Sequence, residues 1–349
     1  MFKKLLLLAL VLGAFVTSYT KAQSLDQTLA KLSSTVGAAY VKPVVSAFGS
    51  NLNSGWVSQF PEATFLAFHL DIKIVATGSF FPNDVKNFTA TDQFYFDQNQ
   101  TNTILAQNGV TPGSPNYNAL YNQIYGQPFN VTFSGPTING SKDQNLVITF
   151  PGKPSAGLNP VNVQVPEVKG YLPDALQKIF PTPTAQITLG TVYGTNVAVR
   201  FCPNINIGDL GNFNYLGFGI IHNPGVWFPN PLPVNFAIGF FTQKMKVGSI
   251  FESNATQAGV YVSKTLAGFF TPYAGLTTET SKTTVSYDYT TNQTINGVPV
   301  VAHLNLDLEG ENSTGAVVGF NLNLVIININ ADYKFAKTST VSAGLSFGF

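Results

Sequence analysis

Charge is scarce in this chain. Lys, Arg, Asp and Glu make up 10% of its 349 residues, against about 25% in ordinary soluble domains. A water-facing surface of this size normally carries more charge, whereas a wall facing acyl chains cannot carry it. Cysteine is nearly absent too. The lone Cys202 excludes an internal disulfide and reads as a small inert side chain in or near a strand. One cysteine and three histidines do not suit a structural zinc site, which wants four convergent N or S ligands. A basic excess is also missing. Lys3, Lys4 and Lys21 fall in an N-terminal leader, which leaves fifteen bases against 17 acids, a net charge of −2. Such a balance offers no field for nucleic acid. P-loop, dinucleotide-binding, EF-hand and paired-cysteine motifs are absent as well, and no cofactor is expected.

No segment after the leader is a transmembrane helix. Even Val317 to Ile329, the most apolar later stretch, is interrupted by Gly319, Asn321, Asn323 and Asn328. Only a closed barrel can then place the chain inside a membrane. The first 22 residues have the form of a secretory signal peptide. Lys3 and Lys4 precede an uncharged run from Leu5 to Val16, and cleavage is expected after Ala22. The run is about 12 residues, short of the roughly 20 a spanning helix needs.

Residues 23–60 read as a helical plug or rim segment. Ser24 and Gln27 resemble a capping box. Leu25, Leu29, Leu32, Val36 and Tyr40 draw one apolar stripe. Pro43 is expected to kink or end the helix. The stripe can pack inside a barrel mouth, lie against its rim, or cover one open end.

Residues 61–349 read as an all-β, antiparallel transmembrane barrel. Leu66, Phe68, Leu70, Ile72, Ile74 and Ala76 share one strand face. His69, Asp71, Lys73 and Thr77 share the other. The last strand is the clearest. Val341, Ala343, Leu345, Phe347 and Phe349 alternate with Thr340, Ser342, Gly344, Ser346 and Gly348. Its length suits the roughly 9–11 residues of a tilted spanning strand, and a terminal aromatic resembles the signal read by the barrel assembly machinery. Candidate strands suggest roughly fourteen in the ring, within 12 to 16. Residues 83–183, rich in Asn, Gln, Gly and Pro, read as long loops that fold partly into the lumen, with a short helix at 116–126 and a strand at 145–150. A soluble β-sandwich also alternates, but its faces opposite the core would carry more charge than these do.

Several polar residues fall on faces expected to line the lumen: His69, Asp71, Lys73, Arg200, His222, His303, Asp307 and Glu309. Inward groups of this kind can order water and tune passage, or simply pair across the interior and hold the wall. Arg200 can clamp a carboxylate bidentately, or pair with Asp71, Asp307 or Glu309. His222 reads as a polar strand-end residue. Gly217 and Gly219 beside it would let another segment approach the wall closely. No G-x-S-x-G elbow or other activated nucleophile stands out, so no enzyme is expected; a membrane-embedded hydrolase ranks last.

Short motifs carry a resemblance. Pro183-Thr-Ala-Gln186, Val199-Arg-Phe-Cys-Pro203, Gly217-Phe-Gly-Ile-Ile-His222 and Pro229 to Pro233 are among them. Gly319-Phe-Asn-Leu-Asn-Leu324, Ala331-Asp-Tyr333, Gly344-Leu-Ser-Phe347 and the Tyr40 to Trp56 stretch, with Pro43, Asn51 and Gly55, complete the set. Through them the chain resembles a family of uncharacterised bacterial outer-membrane β-barrel proteins. The layout, an N-terminal segment before a barrel, distantly resembles the long-chain fatty-acid transporters. The resemblance implies an outer-membrane location, membrane lipids as surroundings, and passage of small hydrophobic molecules. The alternative is a structural or surface-interaction barrel with a filled lumen.

Overall fold

The computed structural model describes residues 22–348, apart from 58, 166–168, 171, 173, 207–211, 231, 250 and 296–297. The side chains of 22–34, 67, 175, 191, 192, 205, 247 and 287–304 also fall outside that description. The leader, the Ser24–Gln27 cap, the His303 side chain and Phe349 thus lie outside the described residues.

Described in chain order, the elements are α1 (Ala22–Leu52), β1 (Leu66–Phe80), β2 (Asn87–Tyr95), α2 (Gln98–Gln107), α3 (Tyr117–Ile124), β3 (Pro128–Pro136), β4 (Leu146–Phe150) and β5 (Val161–Val165). There follow β6 (Ile179–Val192), β7 (Thr195–Asn206), β8 (Asn212–His222), β9 (Asn235–Val247), β10 (Phe251–Ser263) and β11 (Phe270–Ile295). The last are β12 (Val298–Glu309), β13 (Thr314–Leu324), β14 (Ile327–Phe335) and β15 (Thr340–Gly348). None of the described helices is long and apolar enough to cross a membrane.

Two compact units arise from this chain. The larger comprises Val44–Pro82, Pro173–Tyr287 and Asn305–Phe349. In it ten strands close into an antiparallel ring, in the order β1, β6, β7, β8, β9, β10, β11, β13, β14, β15 and back to β1. The expected fourteen is therefore too many. β2 to β5 form a sheet of their own, and among the described residues β12 pairs with β11 alone. Alternation has the same period in a ring strand and in any other two-faced strand, so it cannot tell them apart.

The ring is inverted relative to a soluble barrel. On β1, Ile72 and Ile74 are 53% and 69% exposed, while Asp71 and Lys73 are wholly buried. On β8, Leu216, Phe218 and Ile220 stand outward, and Tyr215 and Ile221 point inward. The apolar rows do not pack on a second sheet, which excludes the sandwich. They form an outer belt that ends where outward charges begin. On β9, Phe236, Ile238 and Phe240 give way to Thr242, Lys244 and Lys246. Lys244 pairs with Glu252, Lys246 reaches it at 3.0 Å, and Lys282 meets Asp307 at 2.8 Å. Lys244 lies nine residues beyond the strand start at Asn235, which matches the reach of a tilted spanning strand. At the other end β6 and β7 join in a tight turn. Tyr193 and Gly194 both have positive φ, 57° and 61°, as a two-residue turn that follows the twist of its strands requires.

The smaller unit comprises the chain up to Pro43, Asn83–Leu172 and Asp288–Leu304. It contains an antiparallel sheet in the order β2-β3-β4-β5. Leu105, Ile124, Phe129, Ala156 and Leu158 form its apolar cluster. Asp97 caps α2 reciprocally with Gln100, each side chain accepting from the other's backbone N–H at 2.8 Å. Residues 83–183 are thus not mainly loops. The Asn- and Gln-rich exposed faces of short strands hide their alternation, though the expected helix and strand appear as α3 and β4.

α1 also departs from expectation, running nine residues past Pro43 to Leu52. A proline removes one amide donor and crowds the preceding turn. Polar contacts of the residues after it, Val44 to Leu52, hold the helix on course inside the ring.

Candidate functional site

The interior of the ring is occupied. Val44 to Leu52, the last turns of α1, and the following residues to Val57 fill it. The ring wall supplies polar side chains at each level. Ser79 donates to Asn51 Oδ1 at 2.7 Å, and Asn51 Nδ2 donates to the Phe180 carbonyl at 2.7 Å and to Thr182 at 2.9 Å. Ser50 Oγ donates to the Thr338 carbonyl at 2.9 Å, and Asn53 Nδ2 to the Thr280 carbonyl at 3.1 Å.

A helix ends with unpaired carbonyls and a partial negative charge. Three wall cations meet the carbonyls of the helix end and of the segment after it. Lys334 Nζ donates to Ser50 O at 3.3 Å. Arg200 donates from Nη1 to Leu52 O at 3.4 Å and from Nη2 to Ser54 O at 2.9 Å. Lys73 Nζ donates to Gly55 O at 3.0 Å and Val57 O at 3.2 Å. Gly55 takes φ +67°, a left-handed conformation that lets the chain leave the helix beneath Val75 and Ser342.

Trp56 is the anchor of this layer. Its ring lies 3.8 Å below the Arg200 guanidinium and stacks on Phe241, with ring centres 5.2 Å apart. Gln186 donates to the Trp56 carbonyl at 3.0 Å and accepts from Arg200 Nε at 3.0 Å; Gln243 accepts from Nη1 at 3.2 Å. A Cβ on Gly217 would stand 2.9 Å from the Trp56 ring, and one on Gly219 would meet Phe241 at 2.6 Å. The bare backbone at these two positions makes room for the aromatic pair, the close approach expected there.

The carboxylates are placed apart from Arg200. Glu279 pairs with Lys334 at 2.7 Å and accepts from Gln257 at 3.3 Å. Asp332 accepts from Tyr273 at 2.9 Å and from Ser342. A void of about 20 Å³ is bordered by Asn53, Trp56, Tyr261, Tyr273 and Asp332. That is room for about one water.

The expected lumen residues divide. Asp71, Lys73 and Arg200 are buried in the interior. Asp71 accepts from Asn328 at 3.3 Å. Arg200 has no carboxylate among its hydrogen-bond partners in the described residues; Gln186, Gln243 and main-chain carbonyls take its donors instead. His69 shares the inward face near the strand end, its ring filling the space that a side chain on Gly190 would take. His222 is not luminal. It follows inward Ile221 and stands on the outer face, where Thr195 Oγ1 lies 3.0 Å from Nδ1 and Trp227 Nε1 donates to Nε2 at 3.2 Å. Asp307 and Glu309 are exposed as well, and Asp307 serves Lys282 and Thr284. β12 lies outside the ring, so its alternation carries no luminal meaning. Trp56, Gln186, Gln243, Glu279 and Lys334 were not singled out by the sequence. Gln186 and Trp56 stand in resemblance motifs, and Lys334 shares a polar face with Asp332.

No curated protein matches the chain. Solved structures similar to it include bacterial outer-membrane proteins. The trimer form of OmpT, an outer membrane protein of Vibrio cholerae, is 8% identical over 81% of this chain and 99% of that one, with a TM-score of 0.25. An anion-selective porin from Comamonas acidovorans is 10% identical over 81% and 99%, at 0.18. The translocator domain of the autotransporter NalP from Neisseria meningitidis is 9% identical over 93% and 97%, at 0.21. The family match spans residues 1–349, and the chain belongs to the family described as "Family of unknown function (DUF6588)".

Proposed function

We propose that this protein is a sealed β-barrel of the bacterial outer membrane that anchors its smaller folded unit there, and not an open diffusion channel. One observation carries the reading: the carbonyls of Ser50, Leu52, Ser54, Gly55 and Val57 are each held by a buried wall cation. Freeing that segment would leave Lys73, Arg200 and Lys334 buried without these acceptors, which is costly. Support for the membrane comes from the outward apolar belt and from its limit at Lys244 and Lys282. Support for the outer membrane comes from the secretory leader and from the barrel itself. Residues 83–172 lie between β1 and β6 in the chain, so the anchored ring and this folded unit share one polypeptide.

Planar-bilayer recordings test this reading. The intact chain should give no steady conductance, and vesicles holding it should not swell in small sugars. A stable open conductance from the intact chain would overturn the sealed barrel and return the diffusion reading.

A further inference from the structure

We propose that the wall between β6 and β7 opens sideways to admit an acyl chain of a bilayer lipid. The ladder joining these strands runs from Gly190↔Asn196 to Gln186↔Arg200 and is not continued among the described residues. Both strands go on. β6 remains paired with β1 as far as Ile179↔Phe80. β7 remains paired with β8 to Cys202↔Tyr215, then slips register before Ile205↔Phe213.

The sequence explains the break. Backbone groups alternate sides along a strand, so Pro181, Pro183 and Ala185 turn theirs toward one neighbour. Ala185 shows which. Its N–H donates at 2.6 Å to the phenol oxygen of Tyr215, a β8 side chain, in place of a β7 carbonyl. Extended by the same register, the next step sets Ala185 against Phe201, and the one after sets Pro183 against Pro203. Proline has no N–H, so that step has no donor on either strand. Pro181 removes another. This seam cannot be zipped by backbone hydrogen bonds.

Its outer side is apolar, and on its inner side the buried Thr182 and Thr184 of β6 stand beside an apolar cluster. Outside stand Pro181, Pro183, Ala185 and Phe201, all exposed. Inside lies a cluster of Leu52, Tyr215 and Met245, with Phe48 and Cys202 packed against it. Phe48 also touches Phe180, ring centres 4.8 Å apart. Below, the Gln186–Arg200–Trp56 layer closes the way to the far end. The depth fits a lipid tail, since Phe201 pairs with Leu216 and Leu216 with Lys244, the level at which the outer belt turns polar. A tail whose head group rests at Lys244 meets the seam directly, with the Tyr215 latch in front of the interior cluster. The site goes beyond the anchoring role and leaves the lumen sealed.

Photocrosslinking tests it on the full chain in phosphatidylcholine vesicles. One set is doped with a phosphatidylcholine carrying a diazirine in its acyl chain, a second with a free fatty acid carrying the same group. Interior crosslinks at Phe48, Leu52, Tyr215 or Met245 from the phospholipid are expected. Tyr215→Phe should raise their yield several-fold, and the Pro183→Ala/Pro203→Ala pair, which restores two donors, should lower it. Interior crosslinks from the fatty acid alone would overturn the lipid assignment. Crosslinks confined to outward residues such as Phe218 and Phe240 would overturn the site. Cys202, the lone thiol, gives a second readout on the unaltered protein. It should react with a bilayer-dissolved alkyl maleimide at least several-fold faster than with a charged one; equal rates count against the opening. Conductance, which reports the sealed lumen, is untouched by any of these outcomes.

Discussion

Lys334 and Glu279 meet at 2.7 Å inside the ring, with both side chains almost wholly removed from solvent. The ammonium also holds the Ser50 carbonyl, so the pair ties β14, β11 and the plug helix together. Removing one partner strands the other charge. Lys334→Met should therefore cost about 3–5 kcal/mol of barrel stability. The double change Lys334→Met/Glu279→Met should cost distinctly less, because replacing a buried pair by apolar groups is often near neutral. Urea unfolding of the folded barrel measures both. Equal losses in single and double variants would mean the charge pairing is irrelevant.

Arg200 holds the plug through two carbonyls, two glutamines and an aromatic ring. Hydrogen bonds to a charged group contribute about 1.5–3 kcal/mol each. Arg200→Ala should loosen the segment after Leu52 enough for transient conductance steps to appear in a bilayer that stays silent with the native chain. Arg200→Lys should give fewer steps, since lysine keeps the charge but not the planar fork over Trp56. A silent Arg200→Ala barrel, shown to be folded, would reassign the sealing to Lys73 and Lys334.

The chain has two tryptophans, and the structure gives them opposite surroundings. Trp56 is buried against Phe241, whereas Trp227 is 61% exposed and stacks on Tyr193 with ring centres 5.6 Å apart. In vesicles of brominated lipid, Trp227→Phe should leave a fluorescence that the bromines hardly quench. Trp56→Phe should leave one that they quench strongly. Strong quenching of Trp56 would place its ring on the lipid side and undo the interior assignment.

Some of this was readable from the residues. β1 announced its two faces, because Ile72 and Ile74 alternate with Asp71 and Lys73, and period two needs no knowledge of neighbours. The helix was legible from an apolar stripe, but the segment that fills the ring, Val44 to Val57, lies beyond that stripe. Nothing local says that Pro43 will be tolerated; the contacts that carry the helix onward come from Ser79, Thr338 and Lys334, far away in the chain. Glu279 and Lys334 each stood on a polar face, yet only ring closure brings β11 and β14 together. Closure also decides the count. β12 alternates as well as β13 does, and Asp307 looked as inward as Asp71, until pairing set one strand inside the ring and the other outside. His222 misled for a simpler reason: it follows Ile221 by one residue, and one step along a strand reverses the face.

The outer belt makes a depth-dependent prediction. Phe240 stands outward on β9, five residues beyond the turn-side start at Asn235 and four short of Lys244, so it lies near mid-bilayer. Phe240→Arg should cost about 2–4 kcal/mol in folding into vesicles, the penalty for a guanidinium at the midplane of a barrel wall. Lys246 lies beyond the belt and shares an exposed ion pair with Glu252 at 3.0 Å. Lys246→Ala should therefore change stability by no more than about 1 kcal/mol. Reversible folding titrations in vesicles read both values. If arginine at 240 were tolerated as easily as alanine at 246, the rows of Phe, Ile and Leu would not face acyl chains. The assignment of inside and outside would then have to be reversed.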